Sequence, residues 1–222
     1  MIKTYIAHYS KLSERKLNID KLISQAKIDN YEFVTNEPNE DFIKQFYSDS
    51  ADLWYDRVRH FNYGGPIHYR QLSKAEISLL HKHYLIFKDI TQNENEFCLV
   101  LEDDVVFNEF FLNDLNSILN EVPKDWDFIF LGSGCDLRIP KCLIEPNQKC
   151  YLKSHPAAKC TDSFLVKKDS LQKVLSTLMP FILPIDFELN YHMWAHDMNV
   201  YWIEPPLIRQ GSQDGTFKSL IN

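Results

Sequence analysis

Phe97-Cys98-Leu99-Val100-Leu101-Glu102-Asp103-Asp104-Val105 is the stretch on which the fold turns. Five apolar residues run without a polar break, and three carboxylates follow at once. The polar Asn93-Glu94-Asn95-Glu96 precedes them. A short apolar run bounded this way is the pattern of a strand covered on both faces, as in a parallel sheet. The acids then stand at its carboxyl end, where open α/β sheets bind ligands. Three adjacent carboxylates repel, so they stay ionised together only beside a cation or strong donors. Hard divalent ions such as Mg²⁺ or Mn²⁺ take oxygen ligands and bridge carboxylates to substrate phosphates. The stretch is therefore read as an acidic metal site that receives a nucleotide diphosphate. A solvated acidic turn is the plainer alternative.

Outward from this strand, Ser73-Lys74-Ala75-Glu76 has the spacing of a capping box and opens a helix whose Ile77, Leu80, Tyr84 and Phe87 form one apolar stripe. Glu76 and His83 share a bearing at the edge of that stripe. Upstream, Thr4–His8 and Tyr31–Thr35 read as strands around a helix that Ser13 can cap. Residues 36–71 are rich in aromatics without a sustained period, and Gly64-Gly65-Pro66 breaks the chain. Short helices and a loop are expected there. Downstream, Asn108–Val122 reads as a helix, and Asp127–Leu131 as a strand ending at Gly132. Residues 133–160 carry Pro140, Pro146 and Pro156 and read as a long connection, a length often found in functional lids. Ser163–Val166 is a strand, followed by a helix that Asp169 can cap. A helix opens at Asp186, and Asn199–Glu204 is the last strand before a polar tail.

The 222 residues, 45% of them hydrophobic, suffice for one large α/β domain. A formal net charge of −7 argues against non-specific nucleic-acid binding, which needs clustered Lys and Arg. An anionic substrate would need local neutralisation by a metal or a few placed bases. No apolar run approaches the ~20 residues of a membrane span, and the N-terminus lacks a ~7–15-residue signal core. A cytoplasmic location is expected, with any membrane contact peripheral. Of the cysteines, Cys98, Cys135, Cys142, Cys150 and Cys160, the spacings match no zinc pattern. Reduced thiols or one opportunistic disulfide are expected.

Several of these elements together resemble glycosyltransferase family 25, the lipopolysaccharide-biosynthesis and collagen galactosyltransferase type. Four blocks in family order carry the resemblance: Tyr5–His8 with Arg15; Leu72–Ile77 through His83 and Phe87; Leu101–Asp104 followed by Trp126–Gly132; and Pro184-Ile185-Asp186 followed by Val200 through Pro206-Leu207-Ile208-Arg209-Gln210. The chain departs from the family pattern at Ala75 and Ser78, where glycine is usual. Lys82 stands for Ser, Phe87 for Trp, and Asp162 for a small residue.

The resemblance implies a GT-A type fold, a mainly parallel Rossmann-like sheet with helices on both faces. It would form one domain, with a nucleotide-sugar half of about 1–132 and an acceptor half of about 133–222. It also implies Mn²⁺ or Mg²⁺, a UDP-sugar donor and a glycan or glycoprotein acceptor. Transfer of a hexose, galactose or glucose, with inversion is expected. Such chemistry needs a base for the acceptor hydroxyl and stabilisation of the leaving diphosphate.

Glu102 and Asp104 have D-x-D spacing for metal and ribose contacts. Asp104 is expected as the direct ligand, with Glu102 and Asp103 sharing metal and sugar contacts. Asp186 is the first choice for base, with helix N-capping as its other role, and Asp162 is the second. Arg15 can pair a phosphate bidentately or be a solvated helix residue. Glu76 is either a capping or a site residue, and His83 either a core or a site residue. Gln210 and Asp214 can close over the nucleotide. His192 and His196 lie one helical turn apart, where packing is the expected role and metal binding the alternative. A catalytically silent nucleotide- or sugar-binding module, and a metal-dependent phosphoesterase or nucleotidyltransferase, are the competing functions.

Overall fold

The structure, a computed structural model, describes residues 2–60 and 68–218. The expected break at Gly64-Gly65-Pro66 lies outside the described residues. The chain runs β1 (Lys3–Ala7), α1 (Ser13–Ala26), β2 (Tyr31–Val34), α2 (Glu40–Phe46), α3 (Ala51–Val58), α4 (Lys74–Gln92) and β3 (Phe97–Glu102). It continues through β4 (Val105–Val106), α5 (Phe111–Glu121), β5 (Phe128–Phe130), β6 (Cys150–Leu152), β7 (Ser163–Lys167) and α6 (Lys168–Thr177). The last elements are α7 (Ile185–Ala195), β8 (Val200–Ile203), β9 (Arg209–Gln210) and a single turn, α8 (Gly211–Asp214).

Seven strands form one sheet in the order β2-β1-β3-β7-β5-β8-β6. β1 pairs parallel with β2 and β3, and β5 parallel with β8, while β7 lies antiparallel between β3 and β5. β6 pairs antiparallel with β8 at the edge. Five of the seven strands thus run one way, so the sheet is mainly parallel, as expected. The insertion of β7 beside β3 means that stretches of chain from before and after residue 132 share this sheet.

β3 is central and buried because both its faces are covered. Cys98 and Val100 face a cluster that holds Leu80 and Phe87 of α4, Leu171 of α6 and Leu189 of α7. Leu99 and Leu101 face the other way, onto Ile19 and Ile23 of α1 and Leu115 and Ile118 of α5. A period of two directs alternate side chains to opposite faces, and two apolar layers leave no place for a polar residue. The unbroken run of Phe97–Leu101 follows from this arrangement. Among the described residues, no helix is long and apolar enough to cross a membrane.

Helix starts show what local sequence can specify. At α4 both halves of the capping box form: Ser73 Oγ accepts from the Glu76 amide, and the Glu76 carboxylate accepts from the Ser73 amide. The other three expected caps are corrected. Ser13 is the first residue of α1 and not its cap, because the Lys16 amide already donates to the Leu12 carbonyl. Asp169 lies inside α6, whose N-cap is Lys167. Asp186 lies in the first turn of α7, whose N-cap is Pro184. The connection 133–160 holds two 3₁₀ turns and β6, a strand not expected there.

Candidate functional site

The acids of the opening stretch end β3 as expected. Glu102 is the last residue of the strand, and Asp103 and Asp104 form the turn into β4. All three line a cavity of about 680 Å³, together with Arg15, Glu76, Asp186 and Gln210. Seven of the sequence-derived candidates therefore share one chamber.

Their surroundings differ sharply. Asp103 is buried and fully engaged. His8 Nδ1 lies 2.8 Å from its Oδ2, the Tyr9 amide donates at 3.1 Å, and Arg15 donates to its Oδ1 at 2.7 Å. Burial alone would raise this carboxyl's pKa, but the hydrogen bonds from His8 and Arg15 hold it below the usual range. Asp103 thereby knits the end of β3 to the end of β1 and to α1. Arg15 also reaches the tail: its Nη2 donates to the Lys218 carbonyl at 2.6 Å and its guanidinium lies over the Phe217 ring.

Glu102 and Asp104 are poorly satisfied. Glu102 accepts one bond from the Thr161 hydroxyl, at 2.6 Å. Burial first, and the Asp104 charge second, push its pKa well up. Asp104 is 3% exposed. Burial raises its pKa as well, against partial relief from Ser212, Arg15 and Gln210. The Gln210 amide is 3.5 Å from its Oδ2, and its Oδ1 has no partner among the described residues. β9 brings Gln210 there by pairing with β4. The following Gly211 donates its amide to the Asp104 carbonyl at 2.7 Å. A Cβ at that position would sit 2.8 Å from the same carbonyl oxygen, so only glycine permits the approach.

The donor set fits a hard divalent cation. An orphaned, buried carboxylate oxygen sits beside a second carboxylate whose charge it opposes, and a cation relieves both. Among the described residues, no three His, Cys, Asp or Glu side chains group to hold a metal. Two carboxylates with substrate phosphates and water are the ordinary Mg²⁺ arrangement.

Further lining comes from the amino ends of α4 and α7. Arg70 donates to both oxygens of Glu76, at 2.9 and 2.5 Å. Burial raises the Glu76 pKa, and the Arg70 and Ser73 bonds outweigh it, leaving the group below its usual value. The Asp186 carboxylate accepts from the Phe187 amide, at 3.0 Å. Burial pushes its pKa up to about 6. Lys82 reaches the same cavity with its ammonium fixed by Glu37 and Ser78.

Other candidates lie elsewhere. His83 is fully buried, bonded to the Leu79 carbonyl at 3.0 Å, with Phe87 and Phe164 beside its ring. It shares a bearing with Glu76 but sits seven residues, roughly 10 Å, further along the helix axis, away from the cavity wall. Asp162 is 0% exposed and does not line the chamber. Its carboxylate lies over Gly132, where any Cβ would meet Oδ1 at 2.0 Å. Burial raises its pKa to about 7. Its carbonyl accepts from the Glu102 amide at 2.8 Å. His192 and His196 both meet the Thr177 hydroxyl, at 3.0 and 2.8 Å, and join α7 to α6. Asp214 pairs with Arg209 at 3.0 Å, at the surface.

Sequence reasoning missed Arg70, Thr161, Ser212 and the pair Cys135 and Cys160, all on the cavity wall. Thr161 is 59 residues from the acid it bonds, and nothing local marks it. Lys82 did carry a signal, as a departure from the resembled pattern.

Comparison with known proteins gives the ancestry. A profile described as glycosyltransferase family 25 (LPS biosynthesis protein) matches residues 1–189. Procollagen galactosyltransferase 1 of Danio rerio is 27% identical over 162 residues, 66% of this chain and 27% of that protein. The probable inactive glycosyltransferase 25 family member 3 of Bos taurus is 23% identical over 167 residues, 65% of this chain and 27% of that protein. The chain thus spans about a quarter of the length of these two curated relatives. A solved glycosyltransferase involved in glycosylation of the major capsid of PBCV-1 superposes with a TM-score of 0.51 at 13% identity, covering 94% of this chain and 92% of that one, a likeness of fold. With the profile extending from β1 into the first turn of α7, across the acidic end of β3 and the cavity lining from Arg15 through Asp186 but not the tail residues 210–213, the chain belongs to glycosyltransferase family 25.

Proposed function

We propose that this chain transfers a hexose, galactose or glucose, from a UDP-sugar to a hydroxyl of a glycan or protein, with inversion. One observation carries the reading. A single cavity holds an under-satisfied carboxylate pair at the end of β3 and, on α7, a separate carboxylate whose pKa is raised to about 6. Chemistry that must accept a proton at one point and quench growing negative charge at another needs this division.

Asp104 and Glu102 would hold Mn²⁺ or Mg²⁺, with Asp103 and Arg15 fixing the turn that presents them. The cation supplies Lewis-acid stabilisation of the diphosphate leaving group. Gln210 and Ser212 orient the Asp104 carboxylate from the tail side. Asp186 takes the proton from the acceptor hydroxyl, because its raised pKa brings it near the working pH of a general base. Arg70 and Glu76 set the local charge around Asp186. Their opposite effects on it leave burial as the dominant cause of the shift.

A silent binding module is the second reading. The tail already bonds Asp104 and Arg15, and one matched relative bears the name of a probable inactive member. A donor screen with Mn²⁺ separates the two. Release of UDP, with sugar joined to an acceptor or freed to water, supports transfer. Binding without UDP release supports the silent module. Cleavage of the nucleotide without free or transferred sugar supports a phosphoesterase.

A further inference from the structure

Cys135 and Cys160 are separated by 25 residues and meet at the cavity wall with their sulfurs 3.3 Å apart. Both are free thiols; Cys135 is exposed and Cys160 half-buried. We propose that the two form a reversible intramolecular disulfide, made by reaction with a hydroperoxide, that ties together two loops of the cavity wall. This goes beyond the proposed transfer and does not depend on it.

The backbone is built for this contact. Gly134 is what lets the loops close: a Cβ there would lie 2.4 Å from the Cys160 Cβ and 2.6 Å from its sulfur. Cys135, Asp136 and Cys160 all adopt left-handed backbone, with φ of 51°, 50° and 55°. Non-glycine residues rarely adopt this region, and both sides of the contact use it. Disulfides need their two Cβ atoms at close range, and loops held backbone to backbone supply that.

The two sulfurs are not equivalent. The Cys160 thiol donates to Cys135. The Gln213 side-chain amide sits 3.6 Å from Cys135 Sγ, while its carbonyl oxygen accepts from the Cys135 amide. Donors aimed at a sulfur favour its thiolate, and the Cys135 thiol is lowered to about 6, the Cys160 bond being the largest cause. Cys135 is the attacking sulfur and Cys160 the resolving one. The remaining cysteines lack this arrangement. Burial pushes the Cys98 and Cys150 thiols up to about 11 and about 12, and among the described residues no sulfur lies within hydrogen-bond reach of the exposed Cys142 thiol.

The step balances. The Cys135 thiolate attacks one peroxide oxygen, the O–O bond breaks, and an alcohol or water leaves with Cys135 as a sulfenic acid. The Cys160 sulfur then attacks the Cys135 sulfur, the S–O bond breaks, and water leaves with the disulfide formed. Two thiols are oxidised and one peroxide is reduced. A dithiol reductant returns both sulfurs to thiols by exchange.

The test is mass spectrometry of the whole chain after brief exposure to hydrogen peroxide. The expected product has lost two hydrogens, yields one cross-linked peptide joining Cys135 to Cys160, and reverts with a dithiol. Cys160→Ser should stop at the sulfenic acid on Cys135, trapped by a carbon nucleophile. Gly134→Val keeps both thiols but parts the loops, so its cross-link should vanish while Cys135 still gains oxygen. Cys142→Ser should leave the cross-link intact. Oxidation of native protein at Cys142 without the Cys135–Cys160 link would overturn the proposal. An undiminished link in Gly134→Val would equally overturn the geometric argument.

Discussion

The amino end of α4 and the carboxyl end of β3 present carboxylates to the same cavity and treat them in opposite ways. Glu76 receives two guanidinium bonds and a main-chain amide, and its pKa falls. Glu102 and Asp104 sit beside each other with few donors, and theirs rise. A buried carboxylate whose needs are met is part of the frame. One left wanting is held in a state that a ligand relieves, at a cost in stability that the rest of the fold carries. Asp103 sharpens the contrast, because it belongs to the framed kind although it stands between the other two.

The largest expected effect tests the unmet kind. Asp104→Asn should abolish Mn²⁺-dependent UDP binding and leave the melting temperature unchanged or higher, since it removes an unrelieved charge. Calorimetric titration and a thermal melt on one sample check both halves. Unchanged affinity would place Asp104 with the framed carboxylates.

Next, Asp186→Asn should lower turnover by about 10²–10⁴-fold and spare UDP affinity. The pH profile gives a second reading. Asp186 must be ionised to take a proton and its pKa is about 6, so kcat/KM should fall as pH drops below that value. The limb should be missing in the variant. Near-normal turnover in Asp186→Asn would move the base to Asp162, whose burial beneath the wall makes it the poorer candidate.

Asp103→Asn should act on stability, by about 3–5 kcal/mol, because it breaks the buried pair with Arg15 at 2.7 Å and leaves that guanidinium only the more distant Asp104, 3.9 Å away. The sign with pH follows from its depressed pKa. The stabilisation stands above the unfolded value of about 4 and is lost as pH falls through the lower folded value. Denaturant melts of native and variant protein should converge in acid. A constant gap would contradict the pairing.

The smallest effect lies at α4. Ser73→Ala removes one half of the capping box and should cost about 1 kcal/mol, with donor affinity unchanged. A loss of donor affinity would mean that this end of the helix is more than frame.

The frame was largely legible in the sequence, because it is written in local patterns. Phe97–Leu101 announced a doubly covered strand, and Ser73 with Glu76 announced a helix start. β6 was not legible: Cys150–Leu152 is a three-residue edge strand in a proline-bearing connection, too short to show a period. The direction of β7 was not legible either, since Ser163–Val166 reads the same whether it runs with or against its neighbours. For the site, residue type and position on an element carried far. Partnership did not. Nothing near Glu76 names Arg70, nothing near Glu102 names Thr161, and the shared bearing of Glu76 and His83 hid their separation along the axis.

The β4–β9 ribbon separates what closes the sheet from what equips the site. Gln210 meets Asp104 across 106 residues, and all seven strands of the sheet precede residues 209–213. None of those strands pairs with the ribbon. A chain cut before Arg209 should therefore still close its sheet around β3, while Asp104 lacks Gln210 and Ser212 and Arg15 lacks the carbonyl of Lys218. Such a truncation would keep the scaffold and lose the furnishing of its acidic end.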